Sequence, residues 1–320
     1  MSEYPKLKLP EKQPLLLEQT DKELAKKPDP NFRYAHFKTV AKGGKSLIQS
    51  CKDLHLNRVI CYKSLLPEFA ADEVEQTRLL REARVSAMLQ HPNTVPTYEL
   101  GRNKKGHYYF TMKLVHGYTL REIFDYRERY DLNQLVNIII RVAYALEYAH
   151  SMGVLHRDIK PENVLIGAYG EVLLLDWGLA KVWDKDGTLG QLQESESENS
   201  EQHMGITGYQ KLQGTLLYMS PEQIQRAPDI DFRSDIYGLG VLLYEALTGS
   251  TPITGDMIDE VIQSTLNDIP LKPSEVVSAA ATPNAAVPKL LENAAMQCLS
   301  KDPADRPQSA AALIRVLKEF

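Results

Sequence analysis

"VLHRDIKPENVLI", residues 154–166, decides how this chain is read. Apolar runs on either side enclose a short polar loop that gathers Asp158, Lys160 and Asn163. These side chains are a carboxylate that can orient a hydroxyl, a cation suited to a moving phosphoryl group, and an amide oxygen suited to a metal. Phosphoryl transfer asks for little more, because it proceeds mainly through positioning and charge stabilisation. Downstream, the apolar run at residues 172–175 reads as a strand that ends at Asp176. A carboxylate delivered there can ligate Mg2+ bridging nucleotide phosphates. Either aspartate alone would read as a surface turn residue. Their spacing, taken with Lys160 and Asn163, carries the inference.

The bulk properties are ordinary for a soluble globular protein. The chain has 320 residues, enough for one large domain or two lobes, and is 43% hydrophobic and 25% charged. A net charge of −5 points to neither a nucleic-acid nor a membrane surface as the main partner. Cys51, Cys61 and Cys298 are too few and too scattered for a disulfide framework or a zinc site, which fits a reducing interior. The longest apolar stretches, such as residues 236–243, fall short of a bilayer span, and "MSEYPKLKLP" lacks the apolar core of a signal peptide. The expected location is cytoplasmic.

Residues 1–31 carry five prolines among lysines and glutamates and read as a leader or linker, with at most a short helix near residues 15–24. From residue 32 to about 113, strand-like runs such as "RVICYK" and "HYYFTMKL" dominate, broken by one helical stretch around residues 74–89. Helices then take over. "LNQLVNIIIRVAYALEYAHSMG" repeats its apolar residues at helical spacing and stops at Gly153, a good C-terminal cap. "SDIYGLGVLLYEALTG" is apolar almost all round and should be a central buried helix. A strand-rich lobe followed by a helix-rich lobe suggests a cleft between them. Residues 184–203 stand apart, with six acidic residues and one lysine. They read as a solvated insert, either plainly flexible or a regulatory phosphorylation loop.

The chain resembles a eukaryotic-type (Hanks-type) Ser/Thr protein kinase, of the sort also widespread in bacteria, over roughly residues 33–320. "RDIKPEN" resembles the catalytic loop, which implies Asp158 as base, Lys160 as γ-phosphate contact and Asn163 as metal ligand. "DWG" at residues 176–178 stands where the family usually has DFG, and keeps the metal ligand Asp176. "VICYK" resembles the strand bearing the phosphate-binding lysine, here Lys63, and "REARVSAMLQHPNTV" the helix whose glutamate, here Glu82, would pair with it. "GTLLYMSPEQ" resembles the end of the activation segment, with Thr215 in the substrate-adjacent position. Asp235 of "SDIYGLG" would hold the catalytic-loop backbone, and Arg306 of "DPADRP" would partner Glu222.

The resemblance implies an α+β, bilobal protein-kinase fold: a β-rich N-lobe at 32–112, a hinge at 113–117 and a helical C-lobe at 118–320, together a kinase domain over 32–320. It also implies ATP with Mg2+, or Mn2+, as metal. Partners would be proteins bearing Ser or Thr, with no nucleic acid and no membrane. A homodimer is left open, because back-to-back N-lobe dimers of such kinases leave no mark in sequence. Around the adenine the resemblance places Ile48, Cys61, Met112 as gatekeeper, the backbone of Lys113–Val115, and Leu165. Arg157 beside the base would receive an activation-segment phosphate, with Thr207 the acceptor by spacing and Ser195, Ser197 and Ser200 as alternatives.

Some positions depart from the family pattern. "VAKGGKSLI" aligns Ala41, Gly43 and Ser46 with three glycines, so only Gly43 matches, with Gly44 as an extra. Without the outer glycines the backbone cannot lie as close over phosphates, and Gly43–Gly44 also reads simply as a hairpin turn. His156 and Trp177 are expected to be packing residues. The activity the resemblance implies is ATP-dependent phosphorylation of Ser/Thr on proteins, with autophosphorylation. The alternative is a pseudokinase acting as a nucleotide-binding scaffold.

Overall fold

A computed structural model of the chain describes residues 33–182, 214–255, 257–279 and 287–320. The leader at 1–31, the acidic insert at 184–203 and Thr207 lie outside the described residues. The chain divides into two compact units, the first holding Thr94–Gly117, Gly167–Tyr169 and the residues up to Gln90, the second holding His91–Asn93, Tyr118–Ile166 and Gly170–Phe320.

The first unit is an antiparallel sheet with one helix laid on it. Its strands are β1 (Tyr34–Lys42), β2 (Ser46–Asp53), β3 (Arg58–Leu65), β4 (Thr97–Arg102) and β5 (Tyr108–Met112), in the spatial order β1-β2-β3-β5-β4. Alternation along β3 sends its two faces to different environments. Ile60 and Tyr62 pack with Cys51 and Tyr109, and Tyr34 leans on the same cluster. Lys63 points the other way. It pairs with Phe110 of β5, whose ring packs against Leu79 and Ala83 of helix α1 (Glu73–Met88). Asp72 caps that helix by accepting from the backbone N–H groups of Val74 and Glu75. Leu79, Glu82, Ala83 and Ser86 recur at three- and four-residue spacing on its buried face, which carries Glu82 inward with the apolar residues.

The second unit is mainly helical. After β6 (Gly117–Thr119) and α2 (Leu120–Phe124) comes α3 (Leu132–Ser151), begun by an Asp131–Gln134 capping box and followed by Gly153 at φ 71°. β7 (Val154–Leu155) leads into the polar loop, and β8 (Val164–Gly167) pairs antiparallel with β9 (Val172–Leu174). β10 (Lys181–Val182) returns to pair with β7. The rest is helical: α4 (Pro221–Ile224), α5 (Arg233–Thr248), α6 (Ile258–Asn267), α7 (Pro273–Ala279), α8 (Lys289–Cys298) and α9 (Ala310–Leu317). As its composition predicts, α5 is the buried centre, with Leu239, Val241, Leu242 and Leu243 all fully enclosed. Gly238 is there for closeness: a Cβ at that position would sit 2.8 Å from the Cβ of Ile159, so only glycine lets α5 press against the polar loop. No helix among the described residues is long and apolar enough to cross a membrane.

His91–Asn93 belong with the helices for a visible reason. The Asn93 side chain donates to the Val172 carbonyl at 2.8 Å, and its own carbonyl accepts from Leu174 N–H at 2.9 Å. His91 stacks on Tyr148 of α3. This clamp steadies β9, the strand that leads into Asp176.

Candidate active site

The polar loop after β7 is held from beneath by the start of α5. Asp235, fully buried, accepts from the backbone N–H groups of His156 at 2.9 Å and Arg157 at 2.8 Å, and its Oδ2 lies 2.9 Å from His150 Nε2. Burial alone would raise the carboxyl pKa; the His150 ring, the nearby His156 and the backbone donor outweigh it and hold it below the usual value. His150 has no counterpart among the residues expected from sequence. It occupies the last turn of an amphipathic helix, and its one signal is a polar ring where the apolar stripe ends.

His156 then joins the backbone of Asp158 to that of Leu175, the residue before Asp176. Its Nδ1 accepts from Asp158 N–H at 3.2 Å, so Nε2, 2.9 Å from the Leu175 carbonyl, is the ring nitrogen that donates. Trp177 meets the same imidazole edge-on, with ring centroids 4.5 Å apart. Both residues are buried packing elements, as expected from sequence. Among the described residues, Trp177 Nε1 is a buried donor with no partner. Arg157 at φ 70° and Asp176 at φ 62° adopt the left-handed region without being glycine. Each such residue costs on the order of 1–3 kcal/mol, a strain characteristic of functional loops.

The three loop residues come together as the spacing implied. Lys160 Nζ lies 2.9 and 2.8 Å from the two Asp158 carboxylate oxygens and 3.3 Å from Thr215 Oγ1. Asn163 Nδ2 donates at 2.8 Å to the Asp158 carboxylate and at 2.8 Å to its backbone carbonyl. Both amide hydrogens are thereby used, which fixes the amide orientation and leaves Oδ1 as the polar atom offered elsewhere. The exposed Asp176 carboxylate accepts from Gly178 N–H at 3.3 Å. Two oxygen donors of this kind suit a hard divalent ion that keeps waters and phosphate oxygens in its remaining positions. Among the described residues no group of three or more His, Cys, Asp or Glu could form an all-protein metal cage. Further out, Arg306 makes a two-pronged bond to Glu222, at 2.6 and 2.9 Å, and donates to the carbonyls of Ser300, Lys301 and Arg233.

In the first unit, Lys63 Nζ lies 2.6 and 2.7 Å from the Glu82 carboxylate oxygens, both side chains buried. Cys61 lies opposite Met112 and Ile48 opposite Lys63 in the strand register. Burial pushes the Cys61 thiol up to about 12, so it behaves as a small apolar residue. Lys113 N–H donates to the Pro96 carbonyl, and Val115 is half-buried. Gly43 and Gly44 form the exposed turn between β1 and β2, closed by Gly43 N–H to the Ser46 carbonyl at 2.8 Å. Leu165, in the second unit, is half-buried opposite Leu173.

Residues 34–316 match the family model described as "Protein kinase domain". The chain is 34% identical over 299 residues to serine/threonine-protein kinase PknD of Protochlamydia amoebophila, covering 90% of this chain and 30% of that protein. It is 31% identical over 285 residues to serine/threonine-protein kinase pkn3 of Myxococcus xanthus, covering 88% and 48% respectively. A probable serine/threonine-protein kinase of Corynebacterium efficiens is 33% identical over 284 residues, 88% of this chain and 40% of that one. The chain spans less than half the length of each of these relatives.

Proposed function

The chain belongs to the protein kinase domain family and carries its α+β fold, and from that premise we propose that it transfers the γ-phosphoryl group of ATP to Ser or Thr hydroxyls of proteins, itself included. The observation that carries this reading is the setting of Asp158. Its carboxylate is held by Lys160 on one side and Asn163 on the other, and its backbone N–H by His156. A carboxylate so fixed can accept the proton of an incoming hydroxyl as the new oxygen–phosphorus bond forms. The bond from γ-phosphorus to the bridging oxygen breaks, and ADP leaves. Lys160, beside both Asp158 and Thr215, offsets charge on the transferred group. Lys63, aimed by Glu82, is suited to orient the α- and β-phosphates. A divalent ion, Mg2+ or Mn2+, held by Asn163 and Asp176 would neutralise phosphate charge. A nucleotide-binding scaffold is the second reading. It draws on the Gly43–Gly44 turn, where Ala41 and Ser46 take the outer positions and the turn is a plain hairpin closure.

Transfer of radiolabelled γ-phosphate, with Mg2+ and then Mn2+, decides between them. The purified protein is compared with Asp158→Asn, using itself and a generic basic protein as acceptors. Label on serine or threonine that disappears in the variant supports transfer; nucleotide binding without label above the variant leaves the scaffold. Mapping the label distinguishes Thr207 from Ser195, Ser197 and Ser200 as acceptors.

A further inference from the structure

Beside the catalytic loop, one arginine holds two glutamates and a tyrosine at once. Arg121, in the short helix α2, donates from Nε to Glu162 at 3.2 Å, from Nη1 to Glu245 at 2.7 Å, and from Nη2 to Glu245 at 3.3 Å and to the Tyr218 hydroxyl. Tyr218 in turn donates to Glu245 at 2.6 Å. The segments that meet here also carry the site. Glu162 is two residues past Lys160, a separation of at most about 7 Å between Cα atoms. Tyr218 closes a turn on Thr215, its N–H donating to the Thr215 carbonyl at 3.1 Å.

The two glutamates stand differently. Glu245 is buried, so a partner is demanded by its burial. The Glu162 side chain is half exposed, and an exposed carboxylate needs no partner. Yet the guanidinium reaches both. Four of its N–H contacts are spent, which leaves little capacity to read an acidic residue on another chain.

We infer that Arg121 is a specificity-determining residue: it fills, from within the chain, the acidic position formed by Glu162, Glu245 and Tyr218, and so removes any demand for a basic residue near the acceptor hydroxyl. An acceptor peptide extends about 3.3–3.6 Å per residue, so residues within three of the acceptor come within reach of Glu162. The inference rests on the phosphotransfer reading for its meaning, though not for its test.

The test uses the full chain and fluorescein-labelled alanine peptides with one serine, an arginine being walked through the three positions on each side. Binding is read by anisotropy and transfer by kcat/KM. Wild type should bind and phosphorylate arginine and alanine peptides within twofold of each other at every position. Arg121→Ala should favour arginine tenfold or more at one position, and adding Glu162→Gln should abolish that gain. A folded Arg121→Ala with unchanged ratios, or a wild type that already prefers arginine tenfold, overturns the inference. Should Arg121→Ala not fold, Arg121→Lys decides. Lysine keeps the charge but cannot span all three partners, and a shift of threefold or more is expected, with none overturning it. A wild type that transfers to no acceptor defeats the phosphotransfer reading, while the anisotropy ratios still decide the role of Arg121.

Discussion

Asn163 gives both hydrogens of its side-chain amide to one residue, Asp158, reaching the carboxylate and the backbone carbonyl at 2.8 Å each. The consequence is mutual orientation. Asp158 cannot rotate without breaking a charge-assisted bond, and Asn163 Oδ1 has one direction left. Lys160 closes the carboxylate from the other side. Catalysis that depends on positioning requires such fixed rotamers more than it requires unusual acidity.

Asp158→Asn therefore tests chemistry with little effect on folding. The amide keeps an oxygen that can still accept one of the bonds that Lys160 and Asn163 give to the buried carboxylate. Transfer rate should fall by about 10²–10⁴ from loss of proton acceptance and positioning, while urea unfolding shifts by on the order of 1 kcal/mol. A variant that keeps near-wild-type transfer would remove Asp158 from the role proposed for it.

Lys63→Met should be costly for a different reason. Glu82 would remain buried without its cation, and breaking a buried pair on one side costs about 3–5 kcal/mol. The double variant Lys63→Met, Glu82→Leu should recover most of that stability and none of the transfer. Urea denaturation of both proteins beside a transfer assay separates the two effects. Equal stability of single and double variants would contradict the account.

How much of this was readable beforehand depended on how far apart the partners lie. Asp158, Lys160 and Asn163 are neighbours in sequence, and local polarity between apolar runs exposes them. Lys63 and Glu82 needed the family resemblance, because the packing of Phe110 on Leu79 and Ala83 that joins strand to helix has no local signature. Trp177 was legible as a core residue, but not that its indole N–H lacks a partner among the described residues. His150 on Asp235 and Arg121 on Glu245 join segments 85 and 124 residues apart, and nothing in periodicity or spacing marks either pair.

Trp177 offers a comparison of two substitutions. Trp177→Phe removes a buried donor that pays about 1–3 kcal/mol for lacking a partner, against a loss of packed ring of similar size. The net change in stability should stay within about 1 kcal/mol. Trp177→Ala, which strips the packing from His156, should cost about 3–5 kcal/mol. Thermal and urea unfolding of both variants provide the check; a Phe variant as damaged as the Ala variant would mean that the indole N–H is satisfied in solution.

Asp235→Asn should reveal its effect through pH. The folded carboxyl titrates below its unfolded value near 3.9, so its stabilisation is complete above that value and is lost as pH falls through the folded pKa. An asparagine has one acceptor oxygen for a site where His150, His156 N–H and Arg157 N–H converge. The variant should be less stable by about 3 kcal/mol at pH 7, since at least one buried donor loses its partner. That difference should hold constant from pH 7 to about 5 and shrink as pH falls below about 4, because only the wild type gives up a titrating bond. Urea midpoints of the two proteins between pH 7 and 3.5 measure it directly. A difference that stays flat to the acid end would place the carboxyl outside the charged network assigned to it.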